Sequence, residues 1–349
     1  FIHFPKKGCF SSQPFFMDSP KIFFHMQTFE QLLECIEQEI ASLQFDCPPK
    51  SLYDPIAYTL ALGGKRIRPA LTLMACNLYH PDITRAIRPA IGLEVFHNFT
   101  LLHDDLMDAA DVRRNQPTVH KKWNANAAIL SGDAMLIVAY QLIGETHPEL
   151  LKPVLDLFTQ TALEICGGQQ YDMEFESRLD VTEAEYMEMI RLKTAVLLAC
   201  ALKMGALLGG APAADAERLY AFGIHIGLAF QLQDDLLDVY GDPRTFGKQI
   251  GGDILCNKKT FLLINALRLA NPAQRAELMG WIARKDFDPQ EKIQAVTHIY
   301  NVLDLKAVTE ARIEALYEQA NENLRILSVT EAQTAILKNV CDKLMHRQV

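Results

Sequence analysis

Asp104-Asp105-Leu106-Met107-Asp108 and Asp234-Asp235-Leu236-Leu237-Asp238 repeat one acidic signature 130 residues apart, each inside an apolar stretch. Carboxylates are costly to bury unless something pairs with them. On a helix, residues at i and i+4 lie one above the other. Asp104 therefore shares a face with Asp108, and Asp234 with Asp238, giving two carboxylate ladders. If the two helices face each other, they outline a cleft with at least four inward acids. Such a cleft repels itself without divalent cations. Oxygen-only donors at this density suit Mg²⁺, which keeps some waters and takes its remaining ligands from substrate phosphates.

A single copy would read as decoration of a solvated helix face. Two copies change that, because both are preceded by apolar residues: Phe99 to Leu102 before the first, Ile226 to Leu232 before the second. The pair also hints at an internal duplication, although the flanking residues match only loosely.

With 49% hydrophobic and 22% charged residues in 349, the chain can bury a large core. A net charge of −9 argues against broad nucleic-acid binding or an anionic membrane surface. Eight cysteines are scattered with no CxxC and no metal-ligand spacing, which fits reduced thiols in a cytoplasmic protein. No apolar run is expected to reach the length of a membrane span. Residues 1–25, with a Lys6-Lys7 pair and three prolines, fit neither a signal peptide nor an amphipathic transit helix. They are expected to be a disordered or appended extension, with Met26 beginning the folded part.

From residue 27 onward the apolar period is helical nearly everywhere. Leu32, Leu33, Ile36, Ile40 and Leu43 recur at helical spacing until Pro48-Pro49 ends that helix. Pro69 is expected at the first position of a helix running to about Tyr79. Longer helices are predicted over 86–107, 125–143, 150–175, 182–208 and 213–239, with shorter ones after residue 258. Thr182 and Glu185 form a capping-box signature. No alternating segment suggests a strand. The predicted fold is all-α: one large helical bundle over residues 26–349 with a central cavity, since bundle cores commonly hold metal and ligand sites.

Cations follow the acids. Gly63-Gly64-Lys65-Arg66-Ile67-Arg68-Pro69 stands at a helix entrance, where backbone amides favour anions. The segment reads equally as a basic turn capping a helix. Arg113-Arg114 trails the first ladder and presents the planar fork that grips phosphate, or plain charge balance. Lys193-Thr194 sits in an apolar helix, and Lys248, Lys258 and Lys259 follow the second ladder. Each is weak alone; together they describe a site for two diphosphates on hydrocarbon tails.

These motifs, in this order, resemble those of the trans-isoprenyl diphosphate synthases, the polyprenyl synthetase family. The match runs from about residue 30 to 345 through GGKRIRP (63–69), HNFTLLHDDLMD (97–108), RR (113–114), GDA (132–134), GGQQYD (167–172), KT (193–194), FQLQDDLLDVYGD (230–242) and GKQIGGDILCNKKT (247–260). The resemblance implies an isopentenyl diphosphate site at Lys65, Arg68, His97 and Arg114. It implies an allylic diphosphate site at Arg113, Lys193, Thr194, Gln231, Lys248 and Lys258, with Lys193, Thr194, Gln231 and Lys258 acting in catalysis. The implied Mg²⁺ ligands are Asp104, Asp108 and Asp234, with Asp238 acting through water, for three ions once substrate is bound. The implied partners are these two diphosphates and a second copy of the chain, in a homodimer.

Product length is read from Phe99, roughly 7.5 Å along the helix before Asp104, with the smaller Thr100 beside it. An aromatic floor resembles enzymes making C15 or C20 products. The two-residue spacing between Asp105 and Asp108 shifts the expectation to geranylgeranyl diphosphate, with farnesyl diphosphate next. The alternatives are a long-chain synthase for quinone side chains and a non-catalytic subunit of a heteromeric synthase.

Overall fold

Thr28 opens the first helix by a reciprocal capping box: its side chain accepts from the Gln31 amide while the Gln31 side chain accepts from the Thr28 amide. The structure is a computed structural model that describes residues 27–241 and 250–345. The expected extension over 1–25 and the predicted ligand Lys248 lie outside the described residues. Helices run in the order α1 (Phe29–Ser42), α2 (Lys50–Ala61), α3 (Ile67–Tyr79), α4 (Thr84–Met107), α5 (Val119–Lys122), α6 (Ala125–Gly144), α7 (Pro148–Glu176) and α8 (Glu183–Ile190). A π turn (Arg191–Ala195) leads into α9 (Val196–Gly209) and α10 (Ala213–Tyr240). Then come α11 (Gly252–Leu255), α12 (Phe261–Leu269), α13 (Pro272–Ala283), α14 (Pro289–Val302), α15 (Leu305–Arg325) and α16 (Glu331–Met345).

The all-α expectation holds, and the Thr182–Glu185 box caps α8 as predicted. Three local differences matter for function. Pro69 is the third residue of α3 instead of the first, because Arg66 caps that helix in a left-handed conformation, φ 48°. The helix predicted over 182–208 is interrupted by the π turn. A two-residue antiparallel pair, β1 (Val112–Arg113) with β2 (Gln116–Pro117), forms where no strand was expected.

The chain divides into two compact units, the first holding residues up to Leu157 plus Ala201–Ala216, the second Phe158–Cys200 plus the residues from Glu217 on. In the first unit α3 is central: Pro69 to Leu78 are all buried, as expected of a helix apolar on every side. The end of α9 lies so close to α3 that a methyl on Gly205 would stand 2.1 Å from the Thr72 carbonyl oxygen. α4 meets α6 through Gly92, where a methyl would stand 2.7 Å from Ile143 Cγ1.

In the second unit α10 serves two neighbouring cores. Leu228, Ala229 and Leu232 pack with Phe175, Tyr186, Ile190 and Phe261. One turn on, Leu236 and Val239 pack with Ile254, Leu263, Val296 and Tyr300. The acidic residues between these apolar positions are therefore carried on a helix anchored on both sides.

Two helical segments, Ala125–Gly144 and Glu183–Gly209, are long and apolar enough to cross a membrane by length and composition, against the expectation that none would be. The second is 78% buried over its most apolar window, as a core helix is. The first leaves Ile129, Leu130 and Ile137 exposed along one side.

Candidate active site

The glycine-rich turn of the first unit does not use its three cations alike. Arg66 is turned inward, where it meets Glu94 at 2.8 Å, Glu37 at 2.8 Å and the Leu60 carbonyl at 2.9 Å. Arg68 instead reaches His97, Nη1 to Nε2 at 3.1 Å. An arginine can only donate, so His97 Nε2 accepts and the imidazole is neutral. Burial holds the His97 pKa well below its usual value, helped by the nearby Arg68, Arg114 and Arg113. Burial also pushes Arg68 down to about 10, against the pull of Glu94, so it stays a cation. Arg68 Nε is buried with no protein partner, a donor left over for an anion.

Arg114 reaches the same turn from the β hairpin. Arg114 and Asn115 both have positive φ, 52° and 60°, as the two central residues of a type I′ turn require. The left-handed conformation costs an arginine about 1–2 kcal/mol, and the turn's base is held by Thr118 Oγ1 donating to the Ala110 carbonyl at 2.7 Å. From there the Arg114 guanidinium donates to the Gly63 carbonyl. A methyl on Gly64 would stand 2.8 Å from Arg114 Nη2, which explains the second glycine. Arg68, His97 and Arg114, three of the four residues predicted for isopentenyl diphosphate, are thus gathered at the glycine turn that carries Lys65.

The first ladder divides its acids. Asp105 is 6% exposed and takes a forked bond from Arg113, Nε at 2.7 Å and Nη2 at 2.7 Å. Arg113 Nη2 stands 3.9 Å from Asp104. Asp104 and Asp108 are the more exposed pair, one helical turn apart. On the same helix the Phe99 ring lies between Phe96 (centroids 5.5 Å apart) and His103 (4.8 Å). His103 Nε2 donates to the Ile129 carbonyl at 3.2 Å across Gly132, where a methyl would stand 2.1 Å away. The glycine of the GDA motif therefore seats the histidine that backs Phe99. Thr100 turns its hydroxyl onto the His97 carbonyl at 2.8 Å.

In the second unit the π turn displays Lys193 and Thr194. Such turns are frequent at functional sites because the extra residue re-aims side chains. It is clasped by glycines from two helices: a methyl on Gly168 would stand 2.3 Å from Lys193 N, and one on Gly227 2.5 Å from Ala195 Cα. Lys193 Nζ pairs with Asp172 at 2.6 Å. Thr194 Oγ1 donates to Gln231 Oε1 at 3.2 Å, and Gln231 Nε2 donates to Asp235 at 3.1 Å. Asp235, 3% exposed, also accepts from the Tyr186 hydroxyl and the Phe261 amide. Burial pushes its carboxyl up to about 7, against the lowering hydrogen bond from Tyr186. Asp235 thus orients the Gln231 amide, as Asp105 orients Arg113.

Asp238 is 8% exposed and accepts the Asp253 amide at 3.0 Å, at the start of α11. Lys258, just past that helix, has its ammonium 4.0 Å from Asp253. Sequence reasoning missed Glu94, Asp172, Tyr186 and Asp253. Asp172 alone had a signal: it lies one turn from Gly168 in the GGQQYD motif. The others act on residues 28 to 49 positions away or across a turn, where no local pattern points.

A polyprenyl synthetase family profile matches residues 49–300. Geranylgeranyl diphosphate synthase of Methanosarcina mazei is 36% identical over 302 residues, 86% of this chain and 91% of that protein. Short chain isoprenyl diphosphate synthase of Methanothermobacter thermautotrophicus is 36% identical over 327 residues, 93% of this chain and 98% of the other. A crystal structure of a geranylgeranyl pyrophosphate synthase superposes with a TM-score of 0.88 at 44% identity, covering 93% of this chain and all of that one.

Proposed function

We infer, on the premise that this chain belongs to the polyprenyl synthetase family, that it joins isopentenyl diphosphate head-to-tail to an allylic diphosphate and makes a short-chain all-trans prenyl diphosphate. The observation that carries the reading is the gathering of Arg68, His97 and Arg114 at one glycine turn, with Arg68 Nε buried and unpartnered. We assign these residues, with Lys65, to the diphosphate of isopentenyl diphosphate.

The donor chemistry of the ladders fits Mg²⁺. Their outer acids offer oxygen donors only. That suits an ion held by one or two carboxylates together with waters and substrate phosphates. Asp104 and Asp108 would hold it at the first ladder, and Asp234 at the second, with Asp238 acting through water. Bound Mg²⁺ would neutralise the diphosphate oxygens as charge develops on the leaving group.

The chain's own residues supply the rest. Lys193 and Lys258, with Arg113, bind the allylic diphosphate and stabilise it as the C1–O bond breaks and the electron pair leaves with it. The Thr194 and Gln231 oxygens lie toward the allylic cation. The double bond of isopentenyl diphosphate then attacks that carbon, and the proton lost in forming the new double bond passes to the released diphosphate. Phe99, backed by His103, blocks the growing tail and limits the product to geranylgeranyl diphosphate, with farnesyl diphosphate next. We take residues 26–349 as the synthase domain, working as a homodimer through the exposed α6 side with Ile129, Leu130 and Ile137. The free thiols suit the cytoplasm.

Incubating the purified chain with labelled isopentenyl diphosphate and dimethylallyl, geranyl or farnesyl diphosphate tests the reading. Mg²⁺-dependent products of C15 to C20 are expected, and none after chelation. No turnover by the chain alone would overturn it in favour of a non-catalytic subunit.

A further inference from the structure

Lys292, the fourth residue of α14, is 1% exposed, and it lies outside every motif that carries the proposed chemistry. A buried ammonium must satisfy three N–H groups or forfeit several kcal/mol. Lys292 Nζ donates to the Leu255 carbonyl at 3.1 Å and to Asn257 Oδ1 at 2.8 Å, and stands 4.4 Å from the centre of the Phe287 ring. Leu255 is the last residue of α11, so the cation sits where helix carbonyls lack partners. Asn257 adopts a left-handed conformation, φ 54°. Its amide is held at both ends, Oδ1 by Lys292 and Nδ2 by donation to the Ile282 carbonyl at 3.3 Å.

The residue held this way immediately precedes Lys258. The Lys258 amide donates to the Asp253 carbonyl at 2.9 Å, and the Asp253 amide donates to Asp238 Oδ2 at 3.0 Å. Lys259, 7% exposed, also returns to the turn, donating to the Asn257 carbonyl at 3.2 Å and the Glu176 carbonyl at 3.0 Å. One turn therefore joins a buried lysine, a proposed diphosphate-binding lysine and the last acid of the second ladder.

We propose that Lys292 is a positioning residue for Lys258: it holds the Asn257 turn in the left-handed conformation that presents Lys258 and Asp253 in register with Asp238. The proposal rests on the assignment of Lys258 to the allylic diphosphate. A lysine buried for stability alone would affect only folding. A positioning lysine affects binding of one substrate and not the other.

The test compares wild type with Lys292→Met and Asn257→Ala in the full chain. Three quantities are measured: melting temperature, steady-state kinetics for each substrate, and Mg²⁺-dependent binding of inorganic diphosphate by calorimetry. Each variant should lower kcat/KM for the allylic diphosphate about 10- to 100-fold, as a displacement of about 1 Å can. KM for isopentenyl diphosphate should stay within about twofold. In a Lys258→Ala background, Lys292→Met should add no further loss. Asn257→Ala carries the test should Lys292→Met not fold. Variants with a lower melting temperature but unchanged kinetics and diphosphate affinity would overturn the proposal. The two readings separate cleanly. A wild type that binds diphosphate without turnover sinks the reaction, while weaker diphosphate binding by the variants still supports the positioning role.

Discussion

Arg66 and Glu94 meet at 2.8 Å with side chains 1% and 3% exposed, joining the glycine-rich turn to the helix that carries the first acidic ladder. The pair fixes a left-handed arginine between Lys65 and Arg68, the two turn cations assigned to substrate.

Glu94→Leu strands that guanidinium with only the half-exposed Glu37 as counter-charge. Removing one partner of a buried pair costs about 3–5 kcal/mol. Urea unfolding should show a loss near the lower end, with KM for isopentenyl diphosphate rising more than KM for the allylic substrate. A loss below about 1 kcal/mol would mean that Glu37 alone suffices.

The acids of each ladder should separate by phenotype. Asp104→Ala and Asp234→Ala should lower kcat about 100- to 1,000-fold and raise the Mg²⁺ concentration needed for half-maximal rate. Asp105→Asn, which weakens the Arg113 fork, should lower activity without moving the Mg²⁺ dependence. A Mg²⁺ titration of all three variants reads both effects.

Gly168→Ala places a methyl 2.3 Å from Lys193 N, whereas Gly167 has nothing near its Cβ position. Overpacking of this kind costs about 1–3 kcal/mol, and here it displaces the π turn. A tenfold or larger drop in kcat for Gly168→Ala, beside near-normal Gly167→Ala, is the expected kinetic outcome.

His97 is held neutral below its usual pKa by burial and by neighbouring arginines. The unfolded chain takes up that proton near pH 6.5 while the folded one does not, so acid favours unfolding. Stability should fall as pH drops below about 6.5, by up to about 1.4 kcal/mol per pH unit for this one proton. His97→Gln should flatten that slope in denaturation curves taken at pH 5.5 and 7.5.

Phe99→Ala opens the space between Phe96 and His103 and should shift products beyond C20, scored by chromatography of the dephosphorylated alcohols. Unchanged lengths would reduce Phe99 to core packing.

The helices were legible because a helix is written in neighbours three and four residues apart, and Thr182–Glu185 or the period before Pro48 needs nothing distant. The ladders were legible too, as residue types and spacing. Their division of labour was not. Asp104 and Asp105 differ by one position, which on a helix rotates the side chain by about 100°. One carboxylate then takes the Arg113 fork at 2.7 Å, while the other stands 3.9 Å from that guanidinium.

The sequence by itself determined an all-α chain, two acidic ladders, the cations that follow them and the family they belong to. Only the tertiary structure decided that Arg66 turns inward to Glu94, that Asp235 serves Gln231 and Tyr186, and that Lys292 grips the turn before Lys258. The physical reason is range. Helical period and capping are settled within one turn of chain, whereas a buried charge is satisfied by whatever group packing brings within about 3 Å, and those partners lie tens of residues away.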